Sequence, residues 1–109
     1  MAFDSTNFEK PQVDEVGQII LKAREYLSVP AHWCSQGGGH GASMCIHIAL
    51  VEVCGYDTRL ARPAVERVAV ALGDKWGDAT TIHAFNDDPN TTHADVLALL
   101  DRAAKGGQP

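Results

Sequence analysis

The sequence predicts an all-α domain of about five short helices, packed around a central apolar helix at residues 43–54. Apolar residues recur at three- and four-residue steps in several segments, which is the periodicity of a helix with one buried face. Gly, Pro and capping residues mark short connections between those segments. No long segment alternates polar and apolar residues, so no sheet is predicted. A minor strand pair near residues 31–45 is the one addition to the helices that the sequence leaves open.

The composition is that of an ordinary globular domain. The chain has 109 residues, of which 45% are hydrophobic and 21% are charged. This length suffices for one modest core but not for two. We expect residues 1–10, which show no periodicity, to be a flexible N-terminal arm. Residues 11–109 are predicted to form a single helical domain.

Charge and cysteine content exclude several classes of function. The formal net charge is −5 and the Lys and Arg residues are scattered, so we expect no binding to nucleic acid or to an anionic membrane. No apolar run reaches the ~20 residues of a membrane span, and the N-terminus lacks the pattern of a secretory signal. Three cysteines, an odd number, favour free thiols in a reducing compartment. The predicted location is the cytoplasm.

The first helix is predicted at residues 11–28. Pro11 suits a first helical turn. Asp14 and Glu15 lie where acidic side chains favour the positive end of the helix dipole, and Pro30 follows the end. The apolar stripe of this helix is Val13, Val16, Ile19, Ile20, Ala23 and Leu27.

The central helix at residues 43–54 is apolar almost all the way round, which is typical of a helix surrounded by others. Ser43 is its candidate N-cap, and Gly55 follows its last turn. Only His47 and Glu52 interrupt the apolar surface.

The third helix is predicted at residues 61–77, with Pro63 at its start. Its apolar stripe is Val65, Val68, Ala69, Leu72 and Trp76. We interpret Trp76, and Trp33 upstream, as aromatic residues of the core or its rim, each with an indole N–H that needs an acceptor.

The fourth helix is predicted at residues 79–86, where Asp78 supplies the N-cap. Its buried residues are Ile82 and Phe85. The helix must end before Pro89, because a proline excludes the residue before it from helical geometry.

The last helix lies within residues 91–107. Thr92 and Asp95 stand at the spacing of a capping box, and Gly106 ends the helix. Its apolar stripe is Val96, Leu97, Leu100 and Ala103.

The stretch HWCSQGGGHGASMCIH, residues 32–47, concentrates residues that bind metals. Its spacing lacks the C-x2-C or H-x3-H pairs typical of structural zinc sites. Cys45 and His47 point to different faces of the predicted helix and cannot share one ion. With zinc as the metal, the remaining candidate ligands are His32, Cys34, His40 and Cys45. The alternative is that the cysteines are small core residues and the histidines lie in a half-exposed loop.

A thiol-dependent enzyme is a second hypothesis. Cys45 is predicted near a helix N-terminus after a glycine loop, where a thiol becomes more reactive. His83 is the candidate base. Asn86 and Asp87, three and four residues later, are candidates to orient its ring. The order Cys, His, Asn or Asp is that of thiol proteases, but papain-like folds need a sheet to carry the histidine, and no strand is predicted there.

Four motifs follow one another along the C-terminal two-thirds of the chain. They are a tryptophan-containing turn, a Cys-x-x-x-Ala-Leu helix, an aromatic-Asn-Asp-x-x-x-Thr turn and a Val-Leu-x-Leu-Leu helix. The matching residues are Trp33; Cys45, Ala49 and Leu50; Phe85, Asn86, Asp87 and Thr91; and Val96, Leu97, Leu99 and Leu100. In these motifs the chain resembles a domain of unknown function found in small bacterial, often actinobacterial, and phage proteins.

The resemblance implies that Cys45 is a buried helix residue and that Asn86 and Asp87 belong to a turn between helices. It implies no activity, and it lends no support to a metal at the glycine loop. The sequence therefore favours a non-catalytic binding or accessory domain, with the zinc module and the thiol enzyme as alternatives. We expect no cofactor. The expected partner is a protein, a small molecule or a second copy of the chain.

Overall fold

The described part of the chain folds into five α-helices, so the predicted all-α class is confirmed. A computed structural model describes residues 13–35 and 43–106, and those ranges contain one isolated strand bridge but no strand. The helices are α1 (Glu15–Leu27), α2 (Ile46–Glu52), α3 (Thr58–Ala71), α4 (Ala79–Asp87) and α5 (His93–Ala104). A 3-10 turn, Pro30–His32, follows α1. The predicted arm at residues 1–10, Pro11 and His40 lie outside the described residues.

Helix α1 begins at Glu15 because Asp14 is its N-cap. The Asp14 carboxylate accepts the Gly17 N–H at 2.8 Å. The same carboxylate accepts two N–H groups of the Arg67 guanidinium on α3, each at 2.8 Å. The hydrogen bonds from Arg67 and then from Gly17 favour the charged carboxylate, so they hold the pKa of Asp14 far below its usual range. The start of α1 is thereby joined to α3.

Helix α1 packs closely against α5. Gly17 is buried, and a Cβ atom added there would collide with the Ala104 carbonyl oxygen and with the Val13 side chain. Farther along the pair, Arg24 Nε lies 2.7 Å from Asp101 Oδ1. The absent side chain at Gly17 therefore sets how near the two helices come.

The predicted start of the central helix at Ser43 is wrong. Helix α2 begins at Ile46, and its N-cap is Cys45, whose Sγ accepts the Ile48 N–H at 3.5 Å. The reason is a contact distant in sequence, since Met44 pairs in parallel with Trp33 and cannot be helical. In the described parts of residues 31–45, the predicted minor strand pair is this single bridge.

The predicted start of the third helix at Pro63 is also wrong. Helix α3 begins at Thr58, because the Asp57 carboxylate accepts the N–H groups of Arg59 and Leu60 at 3.0 and 3.1 Å. Pro63 therefore lies inside the helix. A proline there removes one helical hydrogen bond, and the Asp57 cap of the first turn offsets part of that loss.

Helix α3 ends at Ala71, before the predicted residue 77. Gly73 adopts a positive φ of 99°, and its N–H donates to Val70 O while the Asp74 N–H donates to Ala69 O. This is a Schellman ending, which glycine favours. Trp76 lies beyond it, 82% exposed, with the Lys75 ammonium 5.6 Å from its ring centroid. The interpretation of Trp76 as a core or rim residue was therefore wrong.

The last two helices follow their local signals. Asp78 caps α4 by accepting the Thr80 N–H at 2.9 Å. The predicted capping box of α5 is present, with both hydrogen bonds between Thr92 and Asp95. Asn86 and Asp87 form the last turn of α4, so the turn between helices that the resemblance implied for them is wrong.

The core lies between all five helices. Helix α3 packs against each of the other four, and α2 packs against α1, α3 and α4. The largest fully buried apolar side chains are Ile20, Leu27, Ile46, Leu50, Val68, Ile82, Val96, Leu99 and Leu100. None of the helices in the described ranges is long and apolar enough to cross a membrane.

We predict that Gly17→Ala destabilises the fold. The added methyl group must displace the Ala104 carbonyl, and such overpacking costs about 1–3 kcal/mol. That cost outweighs the roughly 1 kcal/mol that alanine gains over glycine in a helix. Urea unfolding followed by circular dichroism measures the difference. The matched control is Glu25→Ala at an exposed position of the same helix, and equal stability of the two variants would contradict the prediction.

Candidate functional site

The first candidate site is the neck, which we define as Trp33, Cys34, Met44 and Cys45. These residues lie in the two segments on either side of residues 36–42. The Met44 N–H donates to His32 O at 2.7 Å, and the Cys34 N–H donates to Met44 O at 3.0 Å. Two hydrogen bonds thus hold the two segments side by side and parallel.

The side-chain amide of Asn86 extends this pairing by one step. In a continuous parallel ladder, the Ile46 N–H would next donate to Cys34 O. Here the Ile46 N–H donates to Asn86 Oδ1 at 3.0 Å, and Asn86 Nδ2 donates to Cys34 O at 3.0 Å. The amide therefore takes the place of that one ladder bond.

Asn86 also accepts the indole N–H of Trp33 at 2.8 Å. Asn86 is 1% exposed and is the one buried polar residue in the described ranges. Its second amide hydrogen is donated to Asp87 Oδ1 at 3.1 Å. The indole N–H predicted to need an acceptor has one, and the same contact attaches the last turn of α4 to the neck.

Two histidines next to the neck are tied to the end of α1. His32 Nδ1 lies 2.9 Å from Tyr26 O, and the two rings stack with centroids 4.2 Å apart. His93 Nε2 lies 2.6 Å from Leu27 O. Because a carbonyl oxygen only accepts, each of these nitrogens carries the proton that it donates.

The candidate zinc ligands are only partly brought together. Cys34 is half-buried, Cys45 is buried, and neither is in a disulfide. His40 lies outside the described residues. Over residues 13–35 and 43–106, no three His, Cys, Asp or Glu side chains form a group that could hold a metal ion. The four-ligand zinc site remains a prediction.

The candidate catalytic residues of a thiol enzyme, Cys45, His83, Asn86 and Asp87, make contacts that differ from those of a catalytic triad. Cys45 is 7% exposed, so it is buried as the resemblance implied, but it is the extended N-cap of α2 and not a residue of the helix itself. His83 is exposed, and its ring lies 5.0 Å from the ring of His47 in an edge-to-face arrangement. Asn86 directs its amide to the neck, and Asp87 accepts from Asn86. The described hydrogen bonds of Asn86 and Asp87 do not orient the His83 ring.

A second candidate site is the cleft, a cavity of about 410 Å³ between α2, α3 and the start of α4. Its floor is apolar and consists of the buried residues Val51, Ala61 and Val65. Its rim is polar and includes His47, Thr58, Arg62, Glu66 and Asp78.

The turn between α3 and α4 closes one end of the cleft. Asp74 organises this turn, because its carboxylate accepts the N–H groups of Trp76 and Asp78 and the hydroxyl of Thr81. Gly77 has a φ of 70°, and a Cβ atom there would lie 3.1 Å from Glu66 Cβ. Glycine therefore lets the start of α4 approach α3 at this end.

His47 stands at the edge of the cleft in its neutral form. Burial disfavours the imidazolium, and the nearby His83 adds a smaller repulsion, so the pKa of His47 lies below its ordinary value of 6.5. The neutral ring offers the cleft one donor and one acceptor at physiological pH.

Sequence reasoning missed two features of these sites. Asn86 follows Ile82 by four residues, so it lies on the buried face of α4, and a buried amide needs partners. The cleft shows only as Arg62 and Glu66 beside the buried Ala61 and Val65, a pattern common to many amphipathic helices. The spacing of Asn86 from Ile82 thus predicts a buried amide, whereas the pattern around Arg62 and Glu66 does not by itself predict a cleft.

A comparison with known protein families matches residues 11–106 to the model of a family of unknown function, DUF6197. The chain belongs to this family. The match confirms the resemblance to a domain of unknown function and extends it to the first helix. No curated protein and no solved structure shows a significant match to the sequence.

We predict that Asn86→Leu is strongly destabilising. The leucine fills a similar volume but leaves the Ile46 N–H, the Trp33 indole N–H and the Cys34 carbonyl without this partner. Each unsatisfied buried group costs about 1–3 kcal/mol. Urea unfolding followed by Trp fluorescence measures the loss. Asn90→Leu, at an exposed turn position, is the control, and a loss no larger than that of the control would refute the role given to Asn86.

We predict that acidification destabilises the fold in part through His47. Its pKa is lowered by folding, so its contribution is fully present above the unfolded value of 6.5 and is lost as the pH falls through the folded value. Thermal melts from about pH 7.5 to about pH 5 should show a smaller loss for His47→Gln than for the parent. In His83→Gln the His47 pKa should stay below 6.5 by NMR titration, because burial is the larger cause. An NMR pKa of 6.5 or above for the parent would contradict this.

Proposed function

We propose that this DUF6197 domain is a non-catalytic binding domain that takes a small organic ligand in the cleft. The observation that carries the proposal is the cleft itself, a cavity of about 410 Å³ with an apolar floor and a polar rim. Ligand sites in proteins typically have volumes of roughly 300–1,000 Å³ and combine an apolar lining with a few polar groups.

The charges at the rim support a ligand with polar groups of both signs. Arg62 and Glu66 lie one turn apart on α3, and both side chains are exposed. Arg62 can pair with a carboxylate, and Glu66 can pair with an amine. His47 adds a neutral donor and acceptor. A small zwitterion or amino acid-like molecule with an apolar body fits this set.

The state of the thiols supports binding rather than thiol catalysis. Cys45 is buried and its sulfur caps α2, whereas a catalytic thiolate needs access to substrate. The ring that His83 contacts belongs to His47. We place the domain in the bacterial cytoplasm, as a protein encoded by bacteria or by their phages, in line with the odd number of cysteines and with the distribution that the motif resemblance implies.

A fragment screen by NMR tests the proposal. We expect small zwitterions, acids or amines to shift the amide signals of His47, Ala61 and Val65. Thr58→Trp, which places a large ring at the rim, should weaken binding about tenfold or more, which corresponds to ~1.4 kcal/mol. Val70→Trp is the control, because Val70 is exposed on the same helix and does not line the cleft. Equal binding by the two variants would refute the cleft as the site.

The rim charges give a second test with matched variants. Arg62→Gln should weaken binding of carboxylate-bearing fragments, and Glu66→Gln should weaken binding of amines, since each change removes one charge and keeps the shape. Isothermal titration calorimetry measures both. Identical effects of both variants on both fragment classes would contradict the proposed pairing.

A further inference from the structure

We propose that Cys34 and Cys45 form a paired-thiol site that small disulfide oxidants convert reversibly into an intrachain disulfide. The proposal rests on the register of the neck and is independent of the ligand proposed for the cleft.

The register places the two cysteines next to each other. The bridge pairs Trp33 with Met44, so the next pair along two parallel segments is Cys34 with Cys45. Trp33 and Cys45 both have extended backbones, with φ, ψ of −105°, 135° and −78°, 169°. Side chains one position beyond a bridged pair point to the same side, opposite to that pair.

The spacing of paired segments suits a disulfide. Neighbouring strands lie about 4.8 Å apart, and the Cα atoms of disulfide-bonded cysteines are usually about 4.4–6.8 Å apart. The Asn86 amide separates the segments only at the next step, between Cys34 O and the Ile46 N–H. The pair Cys34 and Cys45 lies between the last direct bond, from the Cys34 N–H to Met44 O, and that amide.

The third cysteine is a built-in control. Cys54 lies beyond the far end of α2, in a small cluster with Val51 and Ala61. The seven residues of α2 separate it from Cys45, a distance on the order of 10 Å at 1.5 Å per residue. Cys54 therefore cannot pair with Cys45 while α2 is folded.

The surroundings disfavour a thiolate but not a disulfide. Burial raises the pKa of the Cys34 thiol, the Ser43 hydroxyl opposes this by hydrogen bonding, and the nearby Cys45 and Asp87 raise it further. A disulfide carries no charge, so neither burial nor the Asp87 carboxylate penalises it. Oxidation should accordingly become faster as the pH rises and more of Cys34 is thiolate.

The reaction proceeds by two thiol–disulfide exchanges. The Cys34 thiolate attacks one sulfur of oxidised glutathione, the S–S bond of the oxidant breaks, and one glutathione leaves as a thiolate. The Cys45 thiolate then attacks the Cys34 sulfur of the mixed disulfide and releases the second glutathione. The two cysteines lose two electrons and two protons, and the oxidant gains both.

The position of the methionines allows a direct test. The chain has Met only at positions 1 and 44, so cyanogen bromide cuts between Cys34 and Cys45. The full-length chain is incubated with oxidised glutathione at about pH 8, near the pKa of an ordinary thiol, then alkylated, cleaved and run on a non-reducing gel. We expect the two fragments to stay joined in the parent and in Cys54→Ser, and to separate after reduction with dithiothreitol.

Variants of the three cysteines show which thiols form the bond. Cys34→Ser and Cys45→Ser should each leave the fragments separate. Mass spectrometry should find one glutathione on Cys34 in Cys45→Ser and none on the buried Cys45 in Cys34→Ser. Fragments that separate in oxidised Cys54→Ser would overturn the proposal, and so would fragments that stay joined in Cys45→Ser, because the bond would then involve Cys54. Cys54→Ser keeps both thiols of the pair, so the test does not depend on how the other variants fold.

Discussion

The side-chain amide of Asn86 is the interaction on which the rest of this structure most depends. An amide presents a donor and an acceptor in the geometry of a peptide group, so it can replace one bond between two backbone segments. Here it joins Cys34 to Ile46 and accepts from Trp33 as well. Because the amide stands between the segments, the second can leave the pairing and turn into α2. The contact also brings α4 to the place where α2 begins.

Helix α2 shows why this constraint matters. It has seven residues, whereas an isolated helix needs about 12–15 to be even marginally stable. Its stability must come from its surroundings, and Ile46, Ala49 and Leu50 are fully buried. Two N–H groups of its first turn, which have no partner within the helix, donate to side chains instead: that of Ile46 to Asn86 and that of Ile48 to Cys45. The short helix and the neck therefore depend on each other.

The sequence predicted those parts of the fold that local signals determine. The caps of α4 and α5 are side chains within three residues of the groups they bind, so the sequence alone predicts the capping roles of Asp78 and Thr92. The start of α2 depends on the bridge to Trp33 and on Asn86, contacts that cross tens of residues and leave no periodicity. The end of α3 was a misread local signal, since Gly73 marks it. Of the candidate site, the paired cysteines were visible as residues, but their register was not.

The neck and the cleft are built by the same two helices. Helix α2 begins at the neck with Ile46, and its next residue, His47, stands at the rim of the cleft. Helix α4 contributes its first residue, Ala79, to the cleft and its last turn, through Asn86, to the neck. The proposed disulfide at the neck and the proposed ligand of the cleft therefore contact the same two helices. Any coupling between them would run through the packing of α2 and α4 against α3.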